Sequence, residues 1–289
     1  MKKNNSLLVF SCLAVFLFAS CGGNTNAKAE ENNVDSVTTQ TNQNIETDNS
    51  IKKIAFEIFA DSGTIELAAG EEDSPSALFK EEILVVTEVP SQTNLEEIQA
   101  ILQKKQNYSG DAKQALAKKK REYLEGYVDA NSEEVIGMSA EWDRDLSVQV
   151  IFNDDDFTTI GFYLDEYGGG AHSYSMASFV ILDLKNSKQI TLSDIFDEKG
   201  LVLLKQKMLD RALEIAKNNN ASSLEEYDFF VDAIEPTESF TITETGIEFS
   251  YDRGEIRPYS SPAPSFSFKW NEIKDIIKTE ASVRSLIVE

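Results

Sequence analysis

No cysteine lies beyond residue 21 of this 289-residue chain; the two present are Cys12 and Cys21. Everything downstream must fold without an internal disulfide, so its stability has to come from a hydrophobic core of its own. Domains of about a hundred residues or more can build such a core, whereas very small ones cannot. The residues after position 50 suffice for one large domain or two modest ones.

The chain opens with Lys2 and Lys3, followed by an apolar run from Leu7 to Phe18 broken only by Ser11 and Cys12. Such a run falls short of the roughly 20 residues a spanning helix needs. A basic start, a short apolar stretch and then small residues make a secretory signal over residues 1–20. The sequence Phe18-Ala19-Ser20-Cys21 resembles the bacterial lipobox, with Phe18 where Leu is usual. That resemblance implies acylation of Cys21, which becomes the new N-terminus, while Cys12 is lost with the signal. It places the protein in the cell envelope, lipid-anchored to a membrane at the periplasmic face or the outer surface. An ordinary secretory signal with a coincidental cysteine is the competing reading.

Residues 21–50 read as a flexible tether. They are rich in Asn, Thr, Gln, Glu and Ser, and bury too little apolar surface to offset the entropy of ordering. Such a coil spans roughly 30 Å on average and roughly 100 Å when pulled straight.

The charge balance is strongly acidic, with 50 Asp and Glu against 27 Lys and Arg. Removing residues 1–20 takes away Lys2 and Lys3 and no acid, so the imbalance widens. Nucleic acid and anionic lipid are disfavoured as partners of the folded part, and cationic partners are favoured kinetically. A generally solvated acidic surface accounts for the same composition. The basic run Lys118-Lys119-Lys120-Arg121 fans around a helix and reads as a solvated face.

Alternation and helical spacing divide the remainder. Residues 51–60 and 79–89 read as strands, and Leu95, Ile98, Ile101 and Leu102 fall at helical spacing behind Asn94 as a cap. A second helix is expected over 111–128. Leu146, Val148, Val150 and Phe152 alternate, Asn153 to Asp156 make a turn, and Ile160, Phe162 and Leu164 alternate again as a hairpin. An amphipathic helix runs through Leu201, Leu204, Met208, Ala212 and Ile215 and ends at Asn218-Asn219-Asn220. A second hairpin pairs Phe240 and Ile242 with Ile247, Phe249 and Tyr251. A late strand over 265–269 precedes a closing helix capped by Asn271 and containing Ile273, Ile276 and Ile277. Without regular βαβ alternation the class is α+β, with two small mixed subdomains whose antiparallel sheets pack against helices.

The order of motifs from Tyr167 onward is familiar. It comprises Tyr167, Gly169, Gly170, Ala171 and His172; Asp183-Leu184; Leu192 to Phe196; Phe240, Ile242 and Thr243; Gly246, Ile247, Phe249 and Tyr251; and Glu255, Ile256, Pro258 and Tyr259. It resembles the extracytoplasmic module shared by RsiV-type anti-sigma factors and PdaC-type peptidoglycan deacetylases. The resemblance implies a PdaC-like N-terminal domain over 51–166 and an RsiV-like C-terminal domain of unknown function over 167–289. Ser173 stands where a Gly is usual, and the loop Ser260 to Pro264 replaces another usual Gly. The membrane helix and sigma-binding segment of the first group are missing. So is the metal-dependent catalytic domain of the second, whose chemistry needs two histidines where this chain has one.

His172 is that single histidine, and it follows Gly168-Gly169-Gly170. Two readings are open. His172 lines a ligand pocket with Tyr167 and an acid such as Asp165 or Glu166, or the glycines shape a tight corner that His172 caps. Candidate ligand-binding residues are Tyr167, Gly169, Gly170, His172 and Tyr259. No Gly-x-Ser-x-Gly elbow is present, and no cofactor or metal is expected. Asn153 to Asp156 lacks the twelve-residue calcium-loop pattern. Trp142 and Trp270 are core candidates that could also stack on sugar.

Three functions fit this reading. The first is a lipid-anchored envelope binding protein without catalysis of its own, and what the resemblance implies as its partner is lysozyme or peptidoglycan. The second is a peptidoglycan-modifying enzyme, deacetylase-like or using carboxylates alone. The third is an envelope scaffold.

Overall fold

The computed structural model describes residues 52–68, 70, 74–131, 141–262 and 264–288. The signal segment, Cys21 and the tether lie outside the described residues. The class is α+β. Strands β1 (Ala55–Glu66), β2 (Ser76–Glu88), β3 (Trp142–Asn153), β4 (Phe157–Tyr167), β5 (Tyr174–Asp183) and β6 (Lys188–Gln189) form one sheet in chain order. Strands β7 (Phe240–Ile242), β8 (Gly246–Ser250) and β9 (Ser265–Lys269) form a second. The helices are α1 (Leu95–Lys105), α2 (Ala112–Ala130), α3 (Leu192–Ile195), α4 (Glu198–Asn218) and α5 (Trp270–Ile273). Among the described residues no helix is long and apolar enough to cross a membrane.

Pairing is antiparallel except between β2 and β3, which run parallel from Ala77/Trp142 to Glu81/Leu146. Parallel neighbours need a long crossover, and α1 and α2 together supply it. The β2–β3 ladder stops at Glu81/Leu146, while β2 continues to Glu88. Side chains take over where the ladder ends. The Leu84 N–H donates to Gln106 Oε1 (2.7 Å), and Gln106 Nε2 donates back to the Leu84 carbonyl (2.9 Å). The Val86 N–H donates to Gln99 Oε1, and the Val148 N–H on the facing strand donates to Glu82 Oε2. Two glutamines of the α1 region and one glutamate thus stand in for a missing strand neighbour, leaving those buried amides paired.

Helix α1 begins where Asn94 Oδ1 accepts from the Glu96 and Glu97 N–H groups. It buries Ile98 and Leu102 against Leu84, Val86, Val148, Phe162 and Val180. Helix α2 is capped by Asp111 and buries Ala112, Leu116 and Tyr127. The basic run on α2 is less solvated than its sequence implies. Lys119 Nζ reaches the buried Glu81 carboxylate (3.1 Å) and the Gln106 carbonyl, and Lys120 Nζ reaches Asp61 (2.7 Å). On its other side Glu81 accepts from Arg144 Nε, and Arg144 Nη1 continues to Glu166 (2.9 Å). This chain of charges ties α2, β2, β3 and β4 together.

The larger core lies in the C-terminal half. Helix α4 buries Leu204, Met208, Ala212 and Ala216 on one stripe, facing Phe240, Phe249, Phe266 and Trp270. At its start the Ile276 carbonyl lies where a Cβ on Gly200 would stand, 2.6 Å away, so a larger residue would lift the helix off its neighbour. The closing helix is shorter than its apolar spacing predicts. It spans Trp270–Ile273, and Lys269 caps it in place of Asn271, its N–H donating to Glu272. Beyond it the Lys278 N–H donates to the Ile195 carbonyl instead of back to Lys274, and the Arg284 guanidinium takes the carbonyls of Lys274, Ile277 and Lys278.

The sheet is continuous across position 166/167, which falls at the end of β4 just before the β4–β5 connection, with β5 paired to β4 from Glu166/Tyr174 to Phe157/Asp183. Gln106→Ala would leave both buried backbone groups of Leu84 without a partner. The expected loss is about 2–4 kcal/mol, read as a shift in the urea midpoint; a loss below about 1 kcal/mol would show that the glutamine bridge is dispensable.

Candidate functional site

Alternation along β3 and β4 sorts the residues onto two faces. Arg144, Leu146 and Val148 share one face with Glu166, Leu164 and Phe162, as their cross-strand pairing requires, and α1 covers it. Asp143, Asp145 and Ser147 share the other with Tyr167, Asp165 and Tyr163. The second sheet leans on this second face from the start of β4 as far as Tyr163 and its partner Ala177, whose carbonyl accepts from Ser239 Oγ (3.4 Å). There Thr159 Oγ1 donates to the Ile242 carbonyl (2.9 Å), and Phe157 and Ile181 join the C-terminal core. Towards the end of β4 the face is open, and Asp143, Asp165 and Ser175 are exposed.

The open part is crowded with carboxylates. Asp145 lies directly opposite Asp165, an arrangement that costs stability unless it is offset. Lys80 supplies part of the offset, its Nζ donating to Asp145 Oδ2 (2.7 Å), and Ser175 Oγ donates to Asp165 Oδ1. Among the described residues Asp143 has no direct ion pair or side-chain hydrogen bond. Burial pushes its carboxyl above the usual range, Asp145 and Asp165 push it further, and Lys80 only partly opposes them.

The glycine run sits at the end of this face. Gly169 (φ +85°) and Gly170 (φ +101°) adopt left-handed conformations that side chains rarely tolerate. Tyr167 Oη donates to the Gly170 carbonyl (2.8 Å) and closes the corner. Tyr259 reaches over from the C-terminal layer: its Oη donates to the Ser173 carbonyl (2.7 Å), and its ring lies 5.6 Å from the exposed His172. The structure therefore brings Tyr167, Gly170, His172 and Tyr259 to one corner, with Gly169 shaping the turn. Neither acid weighed as a partner of His172 points to it. Asp165 is bonded to Ser175, and Glu166 lies on the opposite face with Arg144. Cys21 lies outside the described residues.

Sequence reasoning missed Asp143 and Asp145, because the alternation of apolar residues in β3 starts only at Leu146. The signal was present in Asp143-x-Asp145-x-Ser147, which continues the same period of two upstream. Trp142 packs between Tyr123 and Tyr127, and Trp270 is buried with Nε1 donating to the Thr243 carbonyl (2.9 Å). Asn153 to Asp156 form a turn in which Asp154 accepts from the Asp156 and Phe157 N–H groups. Among the described residues no three His, Cys, Asp or Glu side chains converge as metal ligands.

A second concavity, about 370 Å³, is lined by Asp183, Asn186, Lys188, Ser193, Asp194 and Lys278. Several of its polar groups are bonded to neighbours. Asp183 accepts from the backbone and side chain of Asn186, Lys188 donates to Asp194, and Lys278 donates to the Ser193 carbonyl. Burial would raise the Asp194 carboxyl, but the bonds from Lys188 and Thr191 outweigh it and hold it below the usual range.

Removing the crowded charge tests the electrostatics of the open face. Asp143→Asn should leave the protein as stable or more stable at pH 7. That advantage should shrink as the pH falls through the raised pKa of Asp143, where protonation of the wild type removes the same repulsion. Urea unfolding at pH 7 and pH 4 reads the difference; a variant less stable at pH 7 would contradict the assignment.

A family model described as a protein of unknown function (DUF3298) matches residues 193–271, from α3 into α5. No curated protein matches the sequence. Among solved structures, a member of the DUF3298 family from Bacteroides fragilis NCTC 9343 superposes with a TM-score of 0.68 at 16% identity, covering 81% of this chain and 97% of that one. A DUF3298 family protein from Pseudomonas aeruginosa PAO1 superposes with a TM-score of 0.55 at 18% identity, covering 78% and 95%. At these identities the likeness is one of fold. This chain therefore carries a segment that matches DUF3298 and, over most of its length, shares the fold of two solved members of that family.

Proposed function

We propose that the protein is a lipid-anchored binding module of the cell envelope that recognises a basic protein, with lysozyme the candidate, through the open acidic face of β3–β5. The carrying observation is the crowding of Asp143, Asp145 and Asp165 on that face, which among the described residues Lys80 alone partly offsets. A cationic partner relieves that repulsion on docking, so complementary charge favours both encounter and register. The net charge of −23 supports the same direction of attraction. The motif resemblance to RsiV-type sensors supports lysozyme in particular, and the lipobox resemblance supports anchoring through Cys21. The exposed rings of Tyr259 and His172 at the rim supply apolar contact beside the charges.

The soluble 51–289 fragment should bind a c-type lysozyme at about 50 mM salt, with an on-rate that falls steeply as salt rises. The double variant Asp143→Asn/Asp165→Asn should slow association about tenfold with little change in fold, as read by surface-plasmon kinetics. No binding at low salt would remove lysozyme as the partner. Unchanged kinetics in the double variant would remove the face.

A further inference from the structure

Arg257 stands out among the cations of this acidic chain. Lys119, Lys120 and Arg144, which also turn inward, reach carboxylates, and Arg284 reaches backbone carbonyls. Arg257 has no ion pair and no hydrogen bond among the described residues, although the chain carries 50 acidic residues. Its guanidinium instead lies over aromatic rings, 4.1 Å from the centroid of Tyr227 and 5.3 Å from that of Phe229. Its Nε is sealed from solvent without an acceptor, while the residue as a whole is only partly buried. The open end of the side chain is therefore the Nη pair, two parallel donors in the geometry that matches a carboxylate.

An exposed aromatic residue stands on the segment bonded beside Ile256, the residue before Arg257. The Phe230 N–H donates to the Ile256 carbonyl (2.9 Å), which fixes the two segments side by side. The Phe230 ring is 45% exposed, although its neighbour Phe229 is buried. If Arg257 served only to cover Tyr227 and Phe229, an aliphatic side chain would do so without leaving a buried donor unmet. A guanidinium packed on a ring is held in one orientation, so little conformational freedom remains to be lost when an anion docks.

We propose that Arg257, packed on Tyr227 with Phe230 exposed on the adjoining segment, is a binding site for a carboxylate carried next to an apolar group, as at a peptide C-terminus ending in a large hydrophobic residue. The fork takes the two carboxylate oxygens, and the Phe230 ring takes the side chain. The site lies on the C-terminal layer and does not depend on the acidic face of β3–β5.

The test uses the full-length chain labelled with ¹⁵N-arginine and titrated with N-acetyl-phenylalanine, its amide, acetate and inorganic phosphate. N-acetyl-phenylalanine should saturate in the low-millimolar range and shift the Arg257 Nε–Hε resonance. The amide and acetate should each bind at least tenfold more weakly, the first lacking the charge and the second the ring. Arg257→Met keeps the apolar cover and should abolish the heat of N-acetyl-phenylalanine binding that calorimetry reads for the wild type; Phe230→Ala, at an exposed position, should weaken binding severalfold and serves if the Met variant does not fold. Equal responses to the acid and its amide would overturn the proposal, as would binding that survives Arg257→Met. Phosphate binding as tightly as the acid would overturn the ligand class.

Discussion

The first half of β4 is buried on both faces, and the rest of the molecule is arranged around that fact. Every residue from Phe157 to Phe162 is buried. Ile160 and Phe162 belong to the core under α1, while Phe157 belongs to the core of the C-terminal layer. A strand that serves two cores at once cannot alternate apolar and polar residues, and it can carry a polar group only if that group is bonded. The two buried threonines meet that condition. Thr158 Oγ1 donates to Asn153 Oδ1, and Thr159 Oγ1 donates to the Ile242 carbonyl, the second of these crossing from one sheet to the other.

Covering half of β4 on its second face leaves the other half bare, and the candidate site follows from that division. Where the C-terminal layer stops, the residues that would have been core are aspartates. The corner at Gly168-Gly169-Gly170 and the Tyr259–Ser173 bond mark the seam between covered and open parts. On the opposite face the same strands carry charge that is consumed internally, through Glu81, Arg144 and Glu166. The contrast between carboxylates tied into that buried chain and aspartates crowded on the open face, where Lys80 pairs with Asp145 alone, separates structural charge from exposed charge, a distinction that net charge alone does not make.

Much of the fold was legible in the residues themselves. The i, i+4 stripe of α4, the Asn94 cap and the β3–β4 turn depend on neighbours in sequence, and each lies where its pattern predicts. What escaped depends on residues far apart. The parallel pairing of β2 with β3 is invisible to local alternation, because its partners are more than sixty positions apart. Lys119 and Lys120 resemble a solvated face because nothing nearby in sequence announces Glu81 or Asp61. The first strand outruns its apolar signal and continues to Glu66, because β2 pairs with it along its whole length. The corner residues Tyr167, Gly169, Gly170, His172 and Tyr259 were found through motif resemblance, whereas Asp143 and Asp145 required the sheet to be seen.

The central claim is that the crowded carboxylates on the uncovered half of the β3–β5 face are where a basic partner docks. Hydrogen–deuterium exchange of the protein with and without a c-type lysozyme measures this directly. The account predicts slowed exchange over residues 143–147, 163–167 and 172–177, together with the Tyr259 loop, and no change along α2 or α4. Protection confined to the helices, with the β3–β5 face exchanging as in the free protein, would contradict it.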